Sequence, residues 1–250
     1  SPSDAGLTDM QKSMKQRLTG ARFRLINESL YKTDGAKAHR IMRDDPQVFA
    51  DYHTGFRHQV QSWPTNPVDI YIKALSQCSE NMLIADLGCG DAKLGRALAA
   101  RGIRVLSFDL VSDGAFVVEA DICEHVPLPG SDVPADGPPS QGEGHVIDVV
   151  VCALSLMGTN WPTCIREAWR ILRPGGELKI AEVTSRFTNV KQFIALVTSI
   201  GFRLKSKDDA NTHFMLFEFE KVAHKAKSSK DWQDILNKGS ILKPCEYKRR

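Results

Sequence analysis

Six residues, Asp86-Leu87-Gly88-Cys89-Gly90-Asp91, have the types and spacing to hold a nucleotide. They follow the apolar run Met82-Leu83-Ile84-Ala85 and lead into Ala92, Lys93, Leu94, Ala97, Leu98 and Ala99. That succession predicts a strand, a glycine turn and a helix, with bare backbone able to approach a bound ligand. Twenty-three residues after Asp86 a second apolar run, Val105-Leu106-Ser107-Phe108, ends in Asp109. A carboxylate at such a strand tip can accept hydrogen bonds from a ribose diol; alternatively it caps the turn that follows. A dinucleotide turn needs a third glycine three residues beyond Gly90, where this chain has Lys93. The pattern therefore favours a smaller nucleoside cofactor. S-adenosylmethionine is the expected one, with methyl transfer as the chemistry and S-adenosylhomocysteine as the product.

The elements that must position these residues read as an alternating series. Val117-Val118-Glu119-Ala120-Asp121-Ile122 predicts a third short strand with an acidic tip. Residues 146–153 are almost wholly apolar and β-branched, as in a strand buried on both faces. A helix over 164–172 is stopped by Arg173-Pro174-Gly175-Gly176, and Glu177–Ala181 is the fifth strand. Residues 189–200 read as a helix ended by Gly201, and 202–206 with 214–219 as a closing strand pair. A dehydrogenase would continue with another parallel unit instead of a hairpin. The expected class is α/β: a Rossmann-like class I S-adenosylmethionine-dependent methyltransferase fold. It has a mostly parallel seven-stranded sheet, an antiparallel terminal hairpin and an N-terminal helical cap. Helical apolar spacing over 10–31 (Met14, Leu18, Phe23, Ile26, Leu30) and again over 46–63 supplies the cap. The expected organisation is a cap over 1–64, a core over 65–220 and a basic C-terminal tail over 221–250. Residues 130–145, with three prolines and four glycines, read as a flexible insertion.

At 250 residues the chain can bury one full-sized core. No apolar run approaches the ~18 residues of a membrane span, and no signal-peptide pattern opens the chain, so no membrane partner is expected. Six cysteines without a C-x-x-C pair read as reduced thiols of a cytosolic or nuclear protein, and no metal is expected. Charge is divided unevenly. Residues 61–220 carry 14 Lys and Arg against 20 Asp and Glu, whereas residues 1–60 carry 10 against 7 and residues 221–250 carry 9 against 3. Lys12, Lys15, Arg17, Arg22 and Arg24 crowd together near one end, and Tyr247-Lys248-Arg249-Arg250 closes the other. Such flanks suit a nucleic acid; the alternative is an ordinary solvated helix face and a frayed tail.

Longer strings carry a family resemblance. Ala21-Arg22-Phe23-Arg24-Leu25-Ile26-Asn27-Glu28, Tyr52-His53-Thr54-Gly55-Phe56-Arg57, the glycine turn itself, Cys152-Ala153-Leu154-Ser155-Leu156-Met157-Gly158-Thr159-Asn160, Ala181-Glu182-Val183-Thr184-Ser185-Arg186-Phe187 and Lys243-Pro244-Cys245-Glu246-Tyr247-Lys248-Arg249-Arg250 resemble the ribosomal RNA-processing protein 8 family. The resemblance covers the chain from about Leu7 onward, apart from the insertion. It implies a nucleolar, hence nuclear, enzyme that methylates N1 of an adenine in large-subunit ribosomal RNA during ribosome biogenesis. The family's long basic N-terminal extension is absent from this chain. Chromatin or pre-ribosomal proteins are possible partners. Two other readings stay open: a protein methyltransferase with the same cofactor site, and an S-adenosylmethionine-binding chromatin-silencing module without catalysis.

The resemblance also implies roles for single residues. Gly88 and Gly90 let the cofactor's methionine end lie against backbone, Asp86 orders that turn and faces the methionine amine, and Asp109 holds the ribose. Asp121 and Ile122 match an adenine-contacting pair, with a helix cap as the alternative for Asp121. Cys152 matches a cofactor-lining position, although a buried cysteine is also plain core. His53 resembles a cofactor-contacting histidine that reaches in from the cap. After the fourth strand stands Ala153-Leu154-Ser155-Leu156-Met157-Gly158 in place of the Asn/Asp-Pro-Pro-aromatic string of N6-adenine enzymes, which disfavours N6 chemistry. Asn160, Glu182, Ser185 and Arg186, at the carboxyl ends of strands four and five, are the expected target-binding groups.

Overall fold

A computed structural model of the chain describes residues 6–128, 146–223 and 227–247. The expected insertion and the last three residues lie outside that range. Seven strands form one sheet in the order β3-β2-β1-β4-β5-β7-β6: β1 (Leu83–Leu87), β2 (Arg104–Asp109), β3 (Val117–Glu119), β4 (Ile147–Ala153), β5 (Leu172–Val183), β6 (Phe202–Asp208) and β7 (Phe214–Lys221). The first five are mutually parallel; β7 runs antiparallel between β5 and β6. The class I methyltransferase architecture is therefore the one expected. Strand order reverses at β1, whose neighbours are β2 and β4, and a crevice opens outside the carboxyl ends of the strands at such a point.

Alternation along β4 shows why the sheet is buried on both faces. Val149 and Val151 join Ile84, Leu94, Leu98, Tyr71 and Leu75 under α4 (Pro67–Leu75) and α5 (Lys93–Ala99). Val150 and Cys152 face the other way, toward α6 (Trp161–Ile171) and α7 (Val190–Ile200). Helix α4 fell outside the sequence reading, although Asn66 caps it through Val68 and Pro67 opens it. The Arg173–Gly176 segment, expected as a turn, is a bulge inside β5. Ile147 pairs Leu172 and Val149 already pairs Glu177, so residues 173–176 loop out of register, with Gly175 at φ +72°.

Three helices make the cap: α1 (Asp9–Tyr31), α2 (Gly35–Asp44) and α3 (Pro46–Gln61). The α1–α3 crossing is close because Gly55 has no side chain; a Cβ there would collide with the Phe23 ring. Phe23 also meets Tyr52 at 5.8 Å and Tyr247 at 5.4 Å between ring centres. The described part of the expected basic tail, residues 227–247, packs onto the rest of the fold. It forms α8 (Ser229–Leu236), whose Ile235 joins the main core. The Gly239 carbonyl then accepts a 2.7 Å hydrogen bond from Trp161 Nε1, and the chain returns to the cap, where Asn27 Nδ2 donates to the Cys245 carbonyl at 2.8 Å. Apolar residues, not the tail's charges, decide that course. Among the described residues no helix is long and apolar enough to cross a membrane.

Candidate functional site

A cavity of about 280 Å³ opens at the carboxyl ends of β1, β2 and β4, roofed by α2 and α3. Its floor is the turn after β1. Gly88 and Gly90 sit at φ +74° and +58°, a region that L side chains avoid, and a Cβ on Gly88 would overlap Ser155. The turn is tied to β2 by Asp109: its Oδ2 accepts from Gly90 N at 2.7 Å and its Oδ1 from Leu110 N at 2.7 Å. Each oxygen keeps a lone pair free, so turn-ordering and ligand-holding are compatible roles for Asp109. Asp86 and Asp121 also face the cavity. Burial, aided by the charges of Asp109 and Asp91, pushes the Asp86 carboxyl up to about 7. Burial likewise raises Asp109 and Asp121.

His53 enters from α3 between Phe49 (4.3 Å) and Tyr52 (5.3 Å), with its ring over the place a Gly90 Cβ would take. Burial lowers its pKa, with the Asp109 charge acting the other way. Asp121 Oδ1 accepts from Cys123 N at 2.8 Å, and the same carboxylate crowds the start of α2, where a Cβ on Gly35 would lie 2.5 Å from it.

The structure thus brings His53, Asp86, Gly88, Gly90, Asp109, Asp121 and Ile122 to the lining of one cavity. Cys152 is not among the lining residues. Its side chain is wholly buried on the α6 face, beside Cys164, because strand alternation turns it away while Ala153 takes the cavity side. All six cysteines are free thiols.

Asn160, Glu182, Ser185 and Arg186, the expected target-binding groups, stay outside that lining. Asn160 Oδ1 accepts from Gly35 N at 3.0 Å, and Thr159 N donates to the Thr33 carbonyl at 3.0 Å, so this string clamps the cap to the core. Glu182 and Arg186 are a buried ion pair at 2.8 Å, and Ser185 points to solvent. The sequence reading missed Tyr52, Leu154, Ser155 and Met157, which also line the cavity. Tyr52 Oη donates to Met157 Sδ at 3.1 Å. Leu154 sits at φ +63°, a strained conformation for a leucine that no residue type announces.

A cradle of glycines, a ring of carboxylates and an apolar wall fit a nucleoside carrying a cationic end. A family described as "Hypothetical methyltransferase" matches residues 9–250. The chain is 41% identical over 255 residues to a Schizosaccharomyces pombe protein named 25S rRNA (adenine(645)-N(1))-methyltransferase, covering 98% of this chain and 73% of that one. It is 40% and 41% identical to the ribosomal RNA-processing protein 8 of Dictyostelium discoideum and Mus musculus, covering 97% and 96% of this chain. The chain belongs to the ribosomal RNA-processing protein 8 family of methyltransferases. It spans 60% and 48% of the length of the last two relatives. Two solved structures share the family's fold. A TehB-like methyltransferase from Corynebacterium glutamicum has a TM-score of 0.53 at 18% identity, covering 71% of this chain and all of that one. A Burkholderia thailandensis 1,6-didemethyltoxoflavin-N1-methyltransferase, solved with 1,6-didemethyltoxoflavin and S-adenosylhomocysteine, has 0.53 at 13%, covering 76% and 91%.

Gly88→Arg is expected to weaken S-adenosylmethionine binding at least tenfold, because both the φ and the space against Ser155 exclude a side chain. Calorimetric titration, with circular dichroism to confirm folding, checks it. Unchanged affinity would remove Gly88 from the site.

Proposed function

We propose that this chain transfers a methyl group from S-adenosylmethionine to N1 of an adenine in large-subunit ribosomal RNA. The observation that carries the reading is the acidic, glycine-floored cavity in a chain 41% identical to an rRNA adenine-N1 methyltransferase. Gly88 and Gly90 would receive the methionine end, Asp86 its ammonium, Asp109 the ribose hydroxyls, and Asp121 with Ile122 the cofactor's adenine, while His53 closes the cavity from above. The cofactor, when bound, supplies an electrophilic methyl on a sulfonium.

Charge accounting then says what the residues must do. N1 of a neutral adenine already carries an in-plane lone pair, so a carbon–nitrogen bond can form with no proton removed. The carbon–sulfur bond breaks with its electron pair left on sulfur, and the positive charge passes from sulfur to the methylated ring. A cation therefore occupies the cavity before and after transfer. Asp86, Asp109 and Asp121, which line the cavity, would stabilise it without acting as bases. The remaining task is alignment, which can supply ~7–11 kcal/mol. N1 is engaged in a base-paired helix, so the target must be unpaired or flipped. Ribosomal RNA as substrate would place this work in the nucleolus.

Incubation with methyl-labelled S-adenosylmethionine and under-methylated ribosomal RNA, followed by mapping, tests the proposal. We expect label at N1 of one adenine, and a single-turnover rate without an ionisation that reports a base between about pH 6 and 9 once cofactor is saturating. Label on protein would favour a protein methyltransferase. Binding without turnover would favour a sensing module.

A further inference from the structure

Helix α1 has two apolar faces, and the fold uses one. Phe23 and Leu30, with Ile26 beside them, join the cap's core. On the opposite side Met14, Leu18 and Leu25 are 64%, 65% and 71% exposed, and Met10 extends the line at 83%. Met14, Leu18, Ala21 and Leu25 follow one another at intervals of four, three and four residues, the spacing of a coiled-coil seam. At ~100° per residue these four fall within an arc of about 60°, and along the helix they span roughly 17 Å. In that register the two positions flanking the seam in each heptad are Lys15 and Arg22 on one edge, Arg17 and Arg24 on the other. All four flanking positions are cationic.

We propose that this face of α1 docks an amphipathic helix of a partner protein that carries Asp and Glu beside its own apolar seam. Packing of exposed leucine and methionine against a matching seam removes apolar surface from water, and the flanking charges select the partner. A second copy of this chain is disfavoured, because parallel or antiparallel pairing would set cation against cation. RNA would satisfy the cations and leave the seam in water, and the seam offers no aromatic ring on which a base could stack. An anionic lipid surface suits a broader apolar face than an arc of about 60°. Arg22 already lies against Asp51 of α3 and still exposes 53% of its side chain, so a carboxylate is a ligand this edge accepts. The five cations expected to meet nucleic acid are thereby reassigned in part: four of them frame a protein-binding seam. This inference does not depend on the methyl acceptor.

The test titrates the chain with two synthetic three-heptad peptides, both with Leu along the seam, one flanked by Glu and the other by Lys. The Glu-flanked peptide is expected to bind at least tenfold tighter. Leu18→Gln/Leu25→Gln, which changes only exposed positions, should abolish that binding while S-adenosylmethionine affinity and helical circular dichroism stay constant. Arg17→Glu/Arg24→Glu should invert the preference toward the Lys-flanked peptide. Equal binding of the two peptides, or binding of neither, would overturn the proposal. So would self-association in sedimentation, or binding to an RNA oligonucleotide or to phosphatidylserine vesicles, if the Leu18→Gln/Leu25→Gln variant loses it.

Discussion

Glu182→Gln is expected to cost about 3–5 kcal/mol of folding stability, the range seen when one member of a buried ion pair is removed. Glu182 and Arg186 are 0% and 1% exposed, so the partner left behind has no water to turn to. The pair also joins four parts of the chain. Glu182 Oε1 accepts from Leu156 N at 3.0 Å, on the segment after β4 that lines the cavity. Arg186 Nε donates to the Lys243 carbonyl at 2.8 Å, and its guanidinium lies 4.8 Å from the Tyr31 ring of α1. For a chain of this size such a loss lowers Tm by on the order of 10 °C. Denaturant unfolding of Glu182→Gln and Arg186→Met, alone and together, checks the assignment, with the double variant recovering part of the loss. A Glu182→Gln protein of undiminished stability that no longer transfers methyl would restore a role in chemistry to this carboxylate.

That buried pair shows where sequence reasoning reaches and where it stops. The strand–turn–helix at 83–99, the acidic residues Asp109 and Asp121 and the hairpin at 202–221 were legible because each is a local pattern: an apolar run broken by a glycine turn, an apolar run ended by a carboxylate, two strand-like runs close in sequence. Glu182 and Arg186 sit at the right end of the right strand, yet neighbours at positions 31, 156 and 243 turn them inward, and no local signal marks those contacts. Cys152 illustrates the same limit by a single residue of register. Its neighbour Ala153 faces the cavity, and an apolar strand buried on both sides carries no alternation that tells the faces apart. In the tail Lys and Arg are conspicuous in the sequence, whereas the buried Ile235, Leu242 and Cys245 fix its path. Met14 and Leu18 misled in the opposite sense. Their helical spacing is real, but it serves a face turned to solvent.

In the cofactor-free chain Asp86→Asn is expected to raise stability at pH 8, and to remove a pH dependence from cofactor binding. The Asp86 carboxyl is 4% exposed and titrates near 7 rather than in the usual carboxylate range, chiefly through burial and then through Asp109 and Asp91. A carboxyl that holds its proton more tightly folded than unfolded favours folding at low pH. Its contribution is lost as the pH rises from about 4 to about 7, and is constant above that. Three pKa units at ~1.4 kcal/mol each set the scale, so the charged carboxylate costs on the order of 4 kcal/mol at pH 8. Asparagine, which never ionises, avoids that cost. A cation in the cavity reverses the preference, because it stabilises the ionised carboxylate. S-adenosylmethionine affinity should therefore rise about tenfold between pH 6 and 8, as the ionised fraction grows from roughly a tenth to nine tenths, and level off above. Near pH 7 about half a proton should leave per cofactor bound, measurable by calorimetry in two buffers of different ionisation enthalpy. In Asp86→Asn the rise and the proton release should both vanish, and affinity at pH 8 should fall below that of the parent. A parent chain whose affinity is flat from pH 6 to 8 would show that the methionine ammonium lies elsewhere, and would leave Asp86 with the glycine turn alone.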